Sequence, residues 1–269
     1  MSAGSHYRGS GIFLHREIFV FSRSRVKLKF MNSRHLQLYI TTESPCSYFA
    51  DRKSSNLVPD PEFALNMAIY NQLIRHGFRR SGAHCYRPHC KGCQACIACR
   101  LVVNNFMSSR SQRRCMKNNH DLTVTSVNAG FSNEYFELYQ SYLNSRHTDG
   151  SMANPCATDF KQFLYCDWSD TRFLELRLNK QLVAVAVTDM LSDGLSAVYS
   201  FFDPAMESRS LGTYCILKQI DYAKELGLDY VYLGYWIENH NKMHYKSNFK
   251  PLQLYSNEQW QQRINPKMT

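Results

Sequence analysis

Between Glu62 and Asp121 this 269-residue chain has no aspartate and no glutamate. The same window holds Arg75, Arg79, Arg80, Arg87, Lys91, Arg100, Arg110, Arg113, Arg114 and Lys117, so one segment carries as much excess charge as the whole protein, +10. Solvated surfaces ordinarily interleave acids with bases, and a stretch that omits the acids is suited to holding a polyanion at one place. Also missing is any apolar run near the roughly 20 residues that cross a bilayer. The patch Ile18-Phe19-Val20-Phe21 is too short for a secretory signal, whose apolar region needs about 7–15 residues and a small-residue cleavage site. These absences predict a cytoplasmic protein without a membrane partner. G-x-S-x-G, H-E-x-x-H, P-loop and G-x-G-x-x-G sequences are absent too, so none of the familiar hydrolase, metalloprotease or nucleotide-binding signatures applies.

Cysteine, by contrast, is plentiful, and half of the ten (Cys85, Cys90, Cys93, Cys96 and Cys99) crowd into residues 85–99, too close for ordinary disulfides. Cys156, Cys166 and Cys215 read as reduced core thiols. C-x2-C-x2-C-x2-C is near an iron–sulfur run but lacks its proline and its last spacing. Zinc would use Cys90, Cys93 and Cys96 completed by Cys46, or by His89. The competing reading is an unmetallated cluster packed under a loop. The basic residues are mostly arginine, as suits bidentate recognition of phosphate or carboxylate. Tyr86, Phe78 and Phe106 are placed either to stack on unpaired bases or to pack in the core.

Local patterns predict a helix over 61–76, with Asp60 as N-cap, Pro61 at its first position and Gly77 closing it. A strand is expected at 100–106, a helix at 133–146 capped by Ser132 with Phe131 stapled onto Phe136, and a short helix after Thr158. Strands at 172–178 and 182–191 flank the hairpin turn Asn179-Lys180, and Asp193-Gly194 leads into another at 195–202. A helix at 210–226 and a strand at 229–234 then make a crossover unit with parallel flanking strands. Ligands of such units lie beyond the strand's carboxyl end, which gathers Tyr199, Phe201, Asp203, Arg209 and Gly212.

The blocks SPCSYF (44–49), GFRRSG (77–82), YRPHCKGCQAC (86–96), SRSQRR (109–114) and KNNHDL (117–122) resemble the first half of the bacterial aspartate/glutamate leucyltransferases, relatives of the arginyl-tRNA–protein transferases. VAVTDML (185–191), LSAVYSFFDP (195–204), RSLGTYCILKQI (209–220), YVYLGYWI (230–237) and MHYKSNFKPL (243–252) resemble the second half. The departures are the leader before Met31 and Cys99. The resemblance implies an α+β fold with a Cys/Arg-rich N-terminal domain over 31–125 and an N-acetyltransferase-like mixed sheet with helices over 126–269. Residues 1–30 are expected to be either a disordered arm or a misplaced start ahead of Met31. It further implies transfer of leucine from leucyl-tRNA to proteins beginning with Asp or Glu, which marks them for degradation. No cofactor is required, a structural zinc or iron–sulfur cluster is the one candidate, and DNA is not a partner.

Chemistry then nominates residues. Asp203 accepts the amine proton, with Tyr199, Tyr245 and Lys246 as the other catalytic candidates. One or two of Arg79, Arg80 and Arg87 read the acidic terminus, and Arg110, Arg113, Arg114, Lys117 and Arg209 hold tRNA. Phe201, Tyr232 and Trp236 line the donor pocket. The alternatives are an arginyltransferase and a non-catalytic metal-containing RNA-binding protein.

Overall fold

A computed structural model describes residues 21–29, 35–146 and 154–263. The chain runs β1 (Phe21–Lys29), β2 (His35–Thr41), β3 (Ser44–Pro45), β4 (Lys53–Ser54), β5 (Asn56–Pro59), α1 (Met67–Arg75), β6 (Arg79–Ser81), β7 (His84–Pro88), β8 (Ile97–Val102), α2 (Arg110–Asn118), β9 (Thr123–Asn128), α3 (Asn133–Arg146), α4 (Ala157–Leu164), β10 (Thr171–Leu178), β11 (Gln181–Met190), β12 (Gly194–Phe202), α5 (Leu211–Glu225), β13 (Tyr230–Trp236), β14 (Leu252–Ser256) and β15 (Gln259–Gln262). Five strands form a sheet in the order β1-β2-β5-β7-β6, and eight form a larger one, β15-β14-β8-β13-β12-β11-β10-β9.

The larger sheet is the mixed α+β arrangement expected. Asn179 and Lys180 both take positive φ, 48° and 74°, the backbone that lets two residues join β10 to β11. β12 then crosses through α5 to β13, and those two strands pair in parallel. α5 buries Ile216, Ile220 and Ala223 as its periodicity requires. Ser132 caps α3 through Tyr135 N–H at 3.2 Å, and the Phe131 and Phe136 rings meet at 6.0 Å.

Three expectations are corrected. The first helix starts at Met67, capped by Asn66, whose side chain accepts from Ile69 N–H at 3.0 Å. Asp60 instead closes a separate turn, accepting from Glu62 N–H at 3.0 Å. The strand expected at 100–106 is β8, Ile97–Val102, followed by a single helical turn over Val103–Asn105. α2 is an addition to the expected elements, although Ser109 and Gln112 form a capping box around its start. Its signature, Ser-x-x-Gln, stands in the sequence.

The central position of β8 organises the fold around the site. Ala98, Cys99, Arg100 and Leu101 are all buried, and the strand pairs with β13 on one side and β14 on the other. A strand covered on both faces has no polar alternation, and the cysteine spacing conceals this one. The Cys/Arg-rich stretch therefore spans both sheets, while the boundary expected between residues 125 and 126 falls inside β9. Of the expected leader, residues 1–20 lie outside the described residues, and Phe21–Lys29 is β1, paired with β2. Among the described residues no helix is long and apolar enough to cross a membrane.

Candidate active site

α2 presents Arg110, Arg113, Arg114 and Lys117 on its exposed side and buries Gln112 and Cys115. Buried Gln112 ties the helix to the 3-10 turn His244–Asn248 by donating to Asn248 O at 3.2 Å. Fully buried Asn119 ties it to the start of α5, donating to Arg209 O at 2.8 Å and accepting at its own carbonyl from the Tyr214 hydroxyl at 3.0 Å. These struts frame a cleft of about 350 Å³ between α2, Ser208–Ser210, Thr213 and the turn bearing Tyr245, Asn248 and Phe249. Ser210 turns the chain into α5 with φ of 53°. The cleft is polar, with Arg114 and Arg209 on its walls.

Beneath Tyr245 lies a second, internal group of cations. Lys246 is 3% exposed, and its ammonium donates to Tyr235 O and reaches Met243 Sδ at 3.4 Å. Burial, with the nearby Arg79 guanidinium, pushes it down to about 8. Arg79, on β6, donates from Nη2 to Val198 O at 2.8 Å. Its guanidinium is desolvated but ringed by the phenols of Tyr86, Tyr48, Tyr235 and Tyr245, which help hold its pKa above the ordinary arginine value. Tyr245 exposes 41% of its surface. Its hydroxyl is within electrostatic reach of Cys99 and Arg79, and burial pushes that phenol up to about 12. One side chain thus belongs both to the cleft and to the buried cations.

Several nominated residues are elsewhere. Arg80 is wholly buried against Asp189, with Nε at 2.7 Å from Oδ2 and Nη2 at 2.7 Å from Oδ1. It also donates to Gly82 O and Leu164 O, both at 3.0 Å. An ion pair this complete has nothing left for a substrate. Arg87 lies over the Phe78 ring and donates to His76 O at 2.8 Å. Tyr199 and Phe201 face α3 and α4, where Tyr199 meets the rings of Phe163 at 5.1 Å and Tyr139 at 6.3 Å. Asp203 caps the turn after β12 by accepting from Ala205 N–H at 2.9 Å.

Arg209 does reach the cleft, but its guanidinium is held bidentately by Asp121 at 2.8 and 2.9 Å, which pulls that carboxyl down to about 2. Gly212 packs under Phe202 at the start of α5. Phe201, Tyr232 and Trp236 belong to three different packing clusters and line no common pocket. Tyr232 instead accepts from Arg100 and donates to Asp193, both at 3.2 Å. The first-half residues Tyr48 and Tyr86 complete the surroundings of Arg79. No spacing rule singles out Tyr48, whose only signal is its place in the SPCSYF block.

The thiols of Cys46, Cys90, Cys93 and Cys96 are electrostatic neighbours. Tyr48 N–H points at Cys46 Sγ and Arg52 Nη1 at Cys93 Sγ, each at 3.5 Å. Among the described residues, however, no three His, Cys, Asp or Glu side chains converge so as to hold a metal ion.

A mixed sheet thus presents a basic helix beside a polar cleft, an arrangement suited to holding a polyanion. Comparison agrees: residues 44–114 match the family description "Arginine-tRNA-protein transferase, N terminus" and 134–256 its "C terminus". The chain is 47% identical to the aspartate/glutamate leucyltransferase of Saccharophagus degradans, covering 84% of this chain and 96% of that one. Identity is 47% to that of Hahella chejuensis, over 85% and 98%, and 48% to that of Pseudomonas fluorescens, over 84% and 96%. The solved structure of L-PGS from Bacillus licheniformis is similar at 11% identity and a TM-score of 0.44, covering 80% of this chain and 72% of that one. The chain belongs to the aspartate/glutamate leucyltransferase family.

Proposed function

We propose that the chain takes leucine from leucyl-tRNA in the α2–α5 cleft and delivers it to the α-amine of an acceptor protein held beside Tyr245. It is a leucyltransferase enzyme, and it adds leucine to proteins whose first residue is Asp or Glu, in the N-end rule manner that marks them for degradation. The observation that carries the site reading is Tyr245, a wall of the cleft whose hydroxyl is within electrostatic reach of the half-buried Arg79. The reaction is assigned to the cytoplasm, with no membrane and no DNA as partners.

The chemistry asks little of the protein beyond placement. An aminoacyl ester is already activated, and an α-amine of pKa about 7.7–8.0 is substantially neutral at cellular pH. Holding amine and ester together supplies on the order of 7–11 kcal/mol. A hydrogen bond to the tetrahedral oxyanion adds roughly 2.7–4 kcal/mol. Tyr245 is the better source of that donor, because its side chain is part of the cleft wall while Lys246 is engaged by Tyr235 O. Asp203 caps the turn after β12 through Ala205 N–H and is not part of the cleft wall, which counts against it as acceptor of the amine proton, and Asp203→Asn with undiminished turnover would remove it from that role. Arg110, Arg113, Arg114 and Lys117 hold tRNA phosphates.

No cofactor enters any step. Zinc or an iron–sulfur cluster at Cys46, Cys90, Cys93 and Cys96 finds support in the proximity of the four thiols but not in their arrangement, and metal analysis of purified protein decides it. Arginine as donor is the rival that the family description brings forward. Incubation with mixed charged tRNAs and a peptide beginning with Asp, followed by weighing the product, separates the two. Leucine addition is expected, and arginine addition or none overturns the reading.

A further inference from the structure

Among the described residues, two buried cations, Arg100 and Lys246, lack an acidic partner, and so does the half-buried Arg79, whose guanidinium is desolvated. Arg100 is nonetheless satisfied. Its guanidinium lies 3.6 Å from the centre of the Tyr230 ring and 4.5 Å from that of Trp260, and it donates to Gln253 Oε1 at 2.8 Å. Lys246 donates a hydrogen bond to the end of β13 at Tyr235 O. Arg79 is different. A guanidinium has five N–H donors, and among the described residues the one hydrogen bond Arg79 makes is from Nη2 to Val198 O.

Near it is a second unused donor. The Tyr48 hydroxyl is fully buried and has no hydrogen-bond partner, and it is among the phenols in electrostatic contact with Arg79. Tyr48 is not loosely placed. Its backbone N–H points at Cys46 Sγ, and its carbonyl lies 3.2 Å from His240 Nε2. Its ring stands edge-on to the His240 ring at 5.4 Å. Desolvating an unpaired charge beside a buried, unpaired hydroxyl is costly unless something else supplies the acceptor. What is missing is a small anion with more than one acceptor oxygen.

Resting on the leucyltransferase reading above, we propose that Arg79 and Tyr48 form the subsite for the side-chain carboxylate of the acceptor's N-terminal Asp or Glu. The guanidinium supplies the ion pair and the Tyr48 hydroxyl a further hydrogen bond. Arg80 is excluded by Asp189, and Lys246 adds positive potential without touching the substrate. An amide terminus presents an NH2 group where one carboxylate oxygen should sit. It would leave a donor facing donors inside the protein, so Asn and Gln are rejected.

The test measures leucine transfer from leucyl-tRNA to peptides that differ only in a first residue of Asp or Asn, with wild type, Arg79→Gln and Tyr48→Phe. Wild type should favour Asp by roughly 100-fold or more in kcat/KM. Tyr48→Phe should raise KM for the Asp peptide about tenfold with kcat kept, since one hydrogen bond to a charged group is removed. Arg79→Gln should bring the Asp and Asn peptides to near equality while leucyl-tRNA binding persists. A uniform fall in kcat for both peptides with their ratio intact overturns the subsite and makes Arg79 an oxyanion donor instead. Should Arg79→Gln fail to fold by circular dichroism, Tyr48→Phe decides alone, because the hydroxyl it removes bonds to nothing in the free protein. An unchanged KM there refutes the proposal. If wild type adds no leucine to the Asp peptide, the leucyltransferase reading fails and the subsite falls with it; wild-type transfer with unaltered selectivity in the variants sinks the subsite alone.

Discussion

The Arg79 guanidinium lies flat against the backbone of Gly234, so that a Cβ at this glycine would stand 2.5 Å from both Cζ and Nε. Gly234 sits on β13 with φ of 78°, beside an irregularity in its pairing with β8. Glycine is required there twice, for the backbone and for the approach of the arginine.

Gly234→Ala should therefore displace Arg79 and strain the strand. About 1 kcal/mol or more of stability is expected to go, together with much of the preference for Asp over Asn termini. Urea denaturation and paired peptide assays read the two effects. Retention of both would show that Arg79 can sit elsewhere without consequence.

Arg80 should behave as a structural residue. Removing one partner of its pair with Asp189 leaves a buried charge uncompensated, which typically costs about 3–5 kcal/mol. Asp189 also accepts from the hydroxyls of Tyr70 at 2.6 Å and Thr171 at 2.7 Å. Asp189→Asn is expected to lower the thermal midpoint sharply, and whatever folded enzyme remains should keep its Asp-over-Asn ratio.

For α2 the prediction concerns salt. Replacing Arg110, Arg114 or Lys117 by alanine should weaken tRNA binding and flatten the dependence of log K on log salt by about 0.7–0.9 for each phosphate no longer neutralised. Their side chains are exposed, so the denaturation midpoint should stay close to wild type. Filter binding across a salt series is the measurement, and parallel lines for wild type and variant would remove that residue from the tRNA interface.

Lys246 makes stability depend on alkaline pH. Its ammonium, ordinarily at 10.5, is held at about 8 in the folded protein by burial, with the Arg79 guanidinium adding to the effect. Below pH 8 folding must bury a charged group. Between about 8 and 10.5 the unfolded chain binds the proton and the folded one does not, so stability gains as pH rises. Lys246→Met lacks this dependence. The stability difference between wild type and variant should move in favour of wild type from about pH 8 to pH 10 in urea denaturation, and a constant difference would contradict the assignment.

What is legible in the residues is mostly local. Asn179-Lys180 and the capped helix after Ser132 depend on neighbours a few positions apart, and the β12–α5–β13 crossover on consecutive elements, and each forms as expected. The start of α1 is obscured because Asp60-Pro61 makes a competing turn with equally good capping chemistry. The start of β8, Ile97–Cys99, is hidden because a strand buried on both faces carries no alternation, and its cysteines suggest a ligand set instead of a sheet centre.

The arginines divide along the same line. Sequence alone determined that an acid-free, cation-rich segment exists, which family its motifs resemble and hence what kind of substrate it meets, since charge and motif are properties of the chain. Which arginine remains open to a substrate was decided only by tertiary structure. Arg79 and Arg80 are adjacent in the chain but point to opposite sides of β6, Arg80 toward Asp189, 109 residues away, and Arg79 toward Gly234, Tyr48 and, among the described residues, no acid. The alternation of a strand set them apart, and only folding brought each its neighbours.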